Sequence, residues 1–361
     1  MEASLTSRTS RALLVGLVVG VCALSSGGVR AADCSPRGVV TFICGVISPE
    51  DLVPVPGTDW VVVSGYEGGG ALHLVSTRTH ATTQVFPTAQ PRTRLDATRY
   101  PSCPGPLDPA EKEKFSAHGL NVRAGPNGVH TLYMVHHGFR ESIEVFEVDA
   151  RPKTPTVTWV GCVLAPDFAA FNSVAPLPDG GIVATNPWRR TLTDARARGM
   201  AGSASGEVVE WHAASGWTIV PGSESAGPNG VEVSTDGRWL YVTLWPISKV
   251  MRLSRGQTPV QKELIEVSFR PDNIRWQADG SLLTGGHFAP TPEQVMPCLR
   301  KRCDGVAARV ARIDPRTMTA REILSYPSDD VFFGGTAALQ VGKEIWIGSV
   351  TGDRVARYPI R

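Results

Sequence analysis

The sequence lacks a charge excess of either sign. Lysine and arginine together number 36, against 34 aspartates and glutamates, and the formal net charge is +2. Both signs are dispersed along the chain, so there is no basic block of the kind that binds the phosphates of nucleic acid. Nucleic acid is therefore not an expected partner.

Long apolar runs are also scarce. The one at Ala12–Leu24 follows a basic start and precedes the small residues Ala31–Ala32, an order typical of an export signal. It is shorter than the ~20 residues that span a bilayer comfortably, so residues 1–32 are predicted to be a signal peptide, with an uncleaved N-terminal anchor as the alternative. No linker or low-complexity tract divides residues 33–361, which are predicted to form one domain of a secreted or periplasmic protein with no other membrane contact.

Cysteines are few, but their number is even once the leader is set aside. The sequence has seven, of which Cys22 lies in the leader. The others are Cys34, Cys44, Cys103, Cys162, Cys298 and Cys303. An even set in an exported chain predicts disulfides, with Cys298 and Cys303 able to close a small loop, although the sequence leaves the full pairing open. No two of them have the close spacing of a zinc knuckle, which argues against zinc.

Helical patterning is sparse, whereas turn residues are abundant, with 37 glycines and 28 prolines. Strand-like runs such as Trp239–Thr243 are β-branched, aromatic or alternating. Six glycine turns recur along the chain, each followed by an apolar strand: Gly57, Gly128, Gly180, Gly237, Gly280 and Gly342. The intervals of 43 to 71 residues between them each have room for one four-stranded blade, which needs roughly 40–50 residues. The pattern therefore predicts an all-β fold, a six-bladed β-propeller with four-stranded blades around a central channel.

A polar or glycine-flanked residue precedes each turn by about 6 to 10 positions. These residues are Glu50, His118, Asn172, Asn229, the pair Asp272 and Asn273, and Thr336. If each turn joins the two inner strands of a blade, all of them face the channel. Carboxylate and amide oxygens suit a hard divalent cation such as calcium. The alternative is that the Asn and Asp residues only make turns, but their recurrence at one register favours a cation site.

Two histidines belong to the second predicted blade. His118 holds its channel position and His137 ends its next strand, so the two imidazoles are predicted to meet across adjacent strands. A histidine near a metal-bound water can take its proton at neutral pH, and a second one can orient the first. The pair therefore predicts general base catalysis, with ordinary surface or core histidines as the alternative.

Short motifs follow one another in a definite order along the chain. They are Glu50–Leu52, Ser116–Leu120, Val135–Gly138, Phe171–Val174, Pro228–Val231, Pro271–Ile274, Gly285–His287 and Gly335–Ala338. This order resembles the paraoxonase/arylesterase family and, more loosely, the gluconolactonase and strictosidine-synthase-like propellers. The resemblance covers nearly the whole chain after residue 45, and it implies a six-bladed propeller whose catalytic calcium serves the hydrolysis of lactones and aryl esters.

The resemblance also implies roles for individual residues. The implied calcium ligands are Glu50, Asn172, Asn229, Asp272 and Asn273. His118 and His137 match the family's histidine dyad, and His287 matches a further pocket position. Asp51 and the carbonyl of Leu120 match part of a second, structural calcium site. Ser173 stands where the family has an aspartate, so the second ion stays open. The family's disulfide between the chain ends has no C-terminal cysteine here, so closure of the propeller is expected to depend on strand pairing or on other bridges.

The predicted function is calcium-dependent hydrolysis of a lactone or an aryl ester by water that the His dyad or Asp272 activates, with Asp272 as a nucleophile also open. Aromatic residues near the predicted channel-end loops favour an apolar substrate, with core packing as the alternative. They are Phe168, Phe171, Trp188, Trp245, Phe332 and Phe333. Two rival functions are an exported binding propeller that keeps calcium only for stability and a strictosidine-synthase-like condensing enzyme. The oligomeric state is open.

Overall fold

Four strands at a time, the chain builds six antiparallel sheets around a common axis, which confirms the predicted six-bladed β-propeller. The computed structural model describes Met1 and residues 33–360. The predicted signal or anchor segment lies outside the described residues and stays a prediction.

The strands fill one blade after another in chain order, except that β1 (Thr41–Cys44) joins the last blade. Blade 1 contains β2 (Pro49–Pro54), β3 (Trp60–Gly65), β4 (Leu72–Ser76) and β5 (Thr82–Phe86). Blade 2 contains β6 (Ser116–Arg123), β7 (Val129–His137), β8 (Ser142–Asp149) and β9 (Thr156–Leu164). Blade 3 contains β10 (Val174–Pro176), β11 (Ile182–Asn186), β12 (Glu207–His212) and β13 (Gly216–Ile219).

The second half of the chain repeats this order. Blade 4 contains β14 (Pro228–Val233), β15 (Trp239–Leu244), β16 (Lys249–Ser254) and β17 (Lys262–Glu266). Blade 5 contains β18 (Arg270–Trp276), β19 (Leu282–Phe288), β20 (Ala307–Asp314) and β21 (Thr319–Pro327). Blade 6 contains β22 (Gly335–Val341), β23 (Glu344–Ser349) and β24 (Arg354–Pro359), with β1 as its outer strand.

Strand pairing closes the ring, as expected from the missing C-terminal cysteine. β1 runs antiparallel to β24, with Thr41 opposite Arg357 and Cys44 opposite Arg354. Arg354 also donates a hydrogen bond to the carbonyl of Asp33 at 2.7 Å. The last blade is thus made from both ends of the described chain, and it cannot form until those ends meet.

Three disulfides join the six cysteines. Cys34–Cys44 ties the N-terminal segment to β1, and Cys103–Cys162 ties the long insertion before blade 2 to β9. Cys298–Cys303 closes the small loop that its spacing predicts. Such a set indicates an oxidising, exported environment. Within residues 33–360, no helix is long and apolar enough to cross a membrane.

The six predicted turn glycines each lie between the first and second strands of a blade. All have positive φ, from 56° at Gly342 to 99° at Gly180. A side chain would strain the backbone in this region, whereas glycine adopts it freely. The turns therefore stand at one end of the channel, and the connections from second to third strands lie at the other.

Helical segments are short and lie in the connections. They are α1 (Ala195–Met200), α2 (Pro292–Val295) and the 3-10 turns Pro109–Lys114, Pro126–Gly128, Trp245–Ile247 and Pro297–Leu299. The α1 segment belongs to the insertion between β11 and β12, and α2 belongs to the insertion between β19 and β20. Both insertions join second strands to third strands, so both stand at the channel end opposite the glycine turns.

Candidate metal and active site

The first strand of five blades is irregular near its start. Pairing with the second strand slips between Pro49 and Leu52, Ala117 and Leu120, Pro228 and Val231, Pro271 and Ile274, and Gly335 and Ala338. At each slip two residues of the first strand oppose one residue of the second, which makes a β-bulge. Bulges re-aim side chains and are common next to functional sites. The bulged residues include Glu50, His118, Asn229, Asp272 and Asn273. Most of the predicted channel residues therefore lie in bulges.

Hydroxyl groups on the second strands fasten the bulges of neighbouring blades together. The Thr243 hydroxyl accepts a hydrogen bond from the Gly230 amide at 2.6 Å and donates one to the carbonyl of Asp272. Thr185 plays the same part between the Ser173 amide and the carbonyl of Asn229. These bonds satisfy amides and carbonyls that the bulges take out of the strand ladder. They also fix the position of each channel residue relative to the next blade.

Glycine is required where two bulges approach closely. A Cβ on Gly230 would lie 2.5 Å from the Asp272 carbonyl oxygen, and one on Gly119 would lie 2.5 Å from that of Asn172. No side chain fits at such distances without a shift of the backbone. In both places the glycine allows the residue before it to lie close to the next blade. Asn229 thus lies beside Asp272, and His118 lies beside Asn172.

The bulges, together with Asn172 just before β10, form the floor of a cavity of about 250 Å³ at the channel end opposite the glycine turns. The floor residues are Glu50, His118, Asn172, Asn229 and Asp272. The walls come from the connections and are formed by Tyr66, Trp188, Arg196, Trp245, Met296, Leu299, Arg300, Val350 and Thr351. A polar floor below walls that combine aromatic and aliphatic side chains with two arginines is suited to a small organic ligand.

Four oxygen atoms at the floor are buried without any hydrogen-bond partner. They are Oε2 of Glu50 and the Oδ1 atoms of Asn172, Asn229 and Asn273. An unpaired buried oxygen costs about 1–3 kcal/mol, so four in one place point to a missing partner that accepts several lone pairs at once. A cation satisfies this requirement, and hard oxygen donors suit calcium better than a soft metal.

Side-chain amides supply part of this donor set. Among the described residues, no group of three or more His, Cys, Asp or Glu side chains is placed to hold a metal ion. The floor offers two carboxylates, Glu50 and Asp272, and three asparagines. The amide of Asn273 donates to Oε1 of Glu50 at 2.7 Å, which leaves Oε2 of Glu50 and Oδ1 of Asn273 free to bind a cation.

The two floor carboxyls are placed where a negative charge is unfavourable. Burial raises the pKa of Glu50 well above its ordinary value, and the charges of Asp272 and Asp51 raise it further. Burial and the charge of Asp51 raise the pKa of Asp272 to about 7. A bound cation would oppose each of these effects, because it stabilises the ionised carboxylates directly.

His118 and His137 meet as predicted. Nδ1 of His118 lies 3.0 Å from Nε2 of His137, and Nδ1 of His137 lies 2.8 Å from Oε2 of Glu141. The carboxylate can only accept, so Nδ1 of His137 carries a proton. In the neutral tautomer of His137 its Nε2 accepts from Nδ1 of His118, and this assignment leaves Nε2 of His118 unprotonated. Burial lowers the pKa of His118 well below its ordinary value, and the nearby His137 lowers it further. His118 is therefore a neutral imidazole.

The unprotonated Nε2 of His118 faces the predicted ligands. It lies 3.3 Å from Nδ2 of Asn172 and 3.7 Å from Oε1 of Glu50. The Tyr66 ring packs beside the imidazole, with 4.3 Å between ring centroids. Sequence reasoning did not find Tyr66 or Glu141. Only the position of Glu141, four residues after His137 and just before β8, could have indicated it.

An arginine occupies the position of the predicted second ion site. Asp51 accepts hydrogen bonds from the Leu52 amide at 2.8 Å, from the Leu120 amide at 2.7 Å and from Arg275 at 2.7 Å. It thus contacts the amide of Leu120, where the family resemblance implies the carbonyl as a ligand. Arg275 also reaches Glu232 at 3.1 Å. Both Asp51 oxygens are engaged and a guanidinium stands beside them, so these residues do not fit a second cation.

The aromatic residues predicted for the pocket divide into two groups. Trp188 and Trp245 line the cavity. The four predicted phenylalanines do not line it: Phe168 and Phe171 pack with the core of blades 1 to 3, Phe332 packs in the core of blades 5 and 6, and the Phe333 carbonyl accepts from Ser349. Their side-chain directions depend on loop conformations, which the sequence pattern does not encode.

His287 stands behind the cavity wall. Its ring centroid is 5.4 Å from that of Trp245, and both ring nitrogens are buried without a partner. Burial lowers its pKa to about 3, and the charge of Arg270 contributes. It is thus a neutral residue packed against Trp245, and it does not belong to the cavity lining.

Fold and site together define a six-bladed propeller with an oxygen-rich floor and a histidine pair at one end of its channel. No protein-family model and no curated protein matches the chain. Two solved structures are similar to it at a TM-score of 0.51. The luciferin-regenerating enzyme is 14% identical, over 88% of this chain and 94% of that one. A candidate gluconolactonase is 13% identical, over 91% and 96%. At this identity the likenesses show the propeller fold alone, and the resemblance to the paraoxonase/arylesterase family stays a prediction.

Proposed function

We propose that the protein is a calcium-dependent hydrolase of lactones or aryl esters. The observation that carries this proposal is the group of four unpaired buried oxygens beside a neutral histidine at the floor of a ligand-sized cavity. The description of one structural neighbour as a candidate gluconolactonase supports a hydrolase of this kind. The three disulfides fit a protein that acts outside the cytoplasm.

The chain's own residues would hold the cation. Its ligands would be Glu50, Asn172, Asn229, Asp272 and Asn273, the residues that present free or carboxylate oxygens at the floor. When bound, calcium would polarise the substrate carbonyl and stabilise the negative charge that develops on its oxygen.

The histidine pair would move the proton. His118 takes a proton from water at its free Nε2 and passes its Nδ1 proton to Nε2 of His137 over the 3.0 Å contact. His137 in turn shares its Nδ1 proton with Glu141. Glu141 also orients His137, so the base has an orienting partner, as in other catalytic dyads and triads. Asp272 lies in the same cavity and is the second candidate for base or nucleophile.

The walls would hold the organic part of the substrate. Trp188, Trp245 and Leu299 offer apolar surface above the floor. A cavity of about 250 Å³ accepts a small acyl or aryl group, with its carbonyl near His118.

The test combines calcium binding with hydrolysis. Asn229→Ala and Asp272→Ala are each titrated with calcium by calorimetry and assayed on a panel of γ- and δ-lactones and aryl esters, with and without a chelator. Both variants are expected to lose calcium affinity and hydrolysis together. Asp330→Asn, a change at a carboxylate with 81% side-chain exposure, is the matched control. Full hydrolysis in the presence of chelator refutes the proposal, and calcium that raises only the melting temperature favours the non-catalytic binding propeller.

A further inference from the structure

We propose that the substrate carries an anionic group, a carboxylate in the first instance, which Arg196 and Arg300 bind at the mouth of the cavity. The inference rests on the proposed hydrolysis for the identity of the reacting carbonyl. It changes the substrate expected from the aromatic residues alone, because it adds a charged end to the apolar body.

The two arginines come from different blades. Arg196 lies in α1, within the blade 3 insertion, and Arg300 lies within the blade 5 insertion, in the loop closed by Cys298–Cys303. Both insertions stand at the bulge end of the channel, and both arginines line the cavity whose floor contains Glu50 and Asp272. Two cationic groups from separate insertions therefore line the cavity above the floor.

These insertions are packed against each other. Met200 from the blade 3 insertion joins Val295, Cys298 and Cys303 of the blade 5 insertion in one apolar cluster with Trp245. The end of α1 is also fitted closely, because a Cβ on Gly199 would lie 2.4 Å from the Trp188 ring. The backbone that carries Arg196 and Arg300 is thus held over the cavity by a core of its own.

The charge of Arg196 has no anionic partner. Within the described part of the chain, no carboxylate comes within salt-bridge distance of it, and its polar contact is the sulfur of Met296 at 3.2 Å. Its guanidinium lies 5.8 Å from the Trp188 ring centroid. An arginine on an aromatic face with free N–H groups is a ready donor to a carboxylate.

Arg300 is paired, but only at the surface. It contacts Glu67 at 2.9 Å, with 69% of the Arg300 side chain and 39% of the Glu67 side chain exposed. Exposed pairs of this kind contribute little to stability, so a substrate carboxylate can compete for the guanidinium. Arg302, two residues further on, pairs instead with Asp304 and Asp330 and does not line the cavity.

Two esters that differ only at the far end of the acyl chain test the inference. They are 4-nitrophenyl hexanoate and the 4-nitrophenyl monoester of adipic acid, which has the same chain length and ends in a carboxylate. The selectivity is the ratio of kcat/KM for the adipate ester to that for the hexanoate ester. The wild type is expected to prefer the adipate ester, and high salt is expected to reduce the preference.

Arg196→Gln is expected to lower this ratio about tenfold, the effect of losing one charge-assisted hydrogen bond, and Arg300→Gln is expected to lower it further in the double variant. Arg302→Gln is the matched control and should keep the wild-type ratio. A third 4-nitrophenyl ester of the same length, whose acyl chain ends in a sulfate group, distinguishes a carboxylate site from a general oxyanion site. A ratio that neither Arg196→Gln nor Arg300→Gln changes overturns the inference.

A binding measurement separates this inference from the proposed hydrolysis. If neither ester nor any lactone of the panel is hydrolysed, the proposed function fails. Adipate binding is then compared by calorimetry between the calcium-loaded wild type and Arg196→Gln. Weaker binding to the variant supports the anion site on its own, and equal binding overturns it.

Discussion

Replacement of Arg275 by methionine should destabilise the propeller strongly, although Arg275 lies outside the proposed catalytic set. The Arg275 side chain is only 5% exposed, and it pairs with Asp51 at 2.7 Å and Glu232 at 3.1 Å. These three residues belong to β18, β2 and β14, so one guanidinium joins three blades inside the channel. Through Asp51 and the Leu120 amide, the network reaches blade 2 as well.

The expected magnitude follows from the two carboxylates that would remain. Removal of one partner from a buried ion pair costs roughly 3–5 kcal/mol, because the other charge stays buried without compensation. Domains are stable by about 5–15 kcal/mol in total, so the loss would be a large part of the free energy of unfolding. At roughly 2–4 °C per kcal/mol for large domains, the melting temperature should fall by at least about 6 °C.

The assay is urea or thermal unfolding of Arg275→Met, beside Arg312→Met as a matched control. Arg312 pairs with Asp279, a side chain with 59% exposure, so its loss should cost at most about 1 kcal/mol. A second variant, Arg275→Met with Glu232→Gln, should recover part of the loss because it removes one of the stranded charges. A loss below about 1 kcal/mol for Arg275→Met would refute the reasoning, since the channel would then be solvated enough to tolerate both carboxylates.

Three further outcomes are expected. Glu141→Gln should lower kcat about tenfold or more and leave calcium binding unchanged, because it removes the carboxylate that orients His137. Steady-state kinetics and calorimetry check this, and an unchanged kcat would contradict it. Gly230→Ala should weaken calcium binding, because its Cβ would displace the Asp272 backbone 2.5 Å away, and wild-type affinity in the titration would show that the bulges adjust freely. His136 should contribute about 1.4 kcal/mol per pH unit to the loss of unfolding free energy as the pH drops from 6.5 towards 4, because burial lowers its pKa to about 4 while the unfolded chain still takes up the proton. A slope that is the same in His136→Phe would exclude this histidine as the source.

Most of the fold could be predicted because its determinants are local. A positive φ at Gly180 or Gly237 depends on a few adjacent residues, and the apolar strand after each turn is visible in the sequence. The channel residues could be located for the same reason, since each stands about 6 to 10 positions before its turn. The bulge that turns these side chains into the channel was not predicted, and it recurs in five of the six blades.

The rest of the site depends on contacts between distant segments. Arg196 and Arg300 reach the cavity because two insertions pack on each other, and nothing in either segment alone gives the direction of its side chains. Phe171 and Phe332 show the opposite outcome. Each is close in sequence to a channel residue and was expected in the pocket, but its side chain packs in the hydrophobic core between blades. The partner of Asp51 is 224 residues away in the chain, so no local pattern could indicate it.

Adjacent residues of one bulge face an arginine in one case and the proposed calcium in the other. Glu50 turns to the cavity floor, where its Oε2 is unpaired, and Asp51 turns to Arg275. The guanidinium of Arg275 is part of the chain and cannot dissociate, so it is suited to the structural role of joining the blades inside the channel. The proposed calcium faces the cavity instead, because a bound ion can keep open positions for a substrate. The channel thus separates the charge that supports the fold from the charge proposed for catalysis, and the boundary between the two lies between residues 50 and 51.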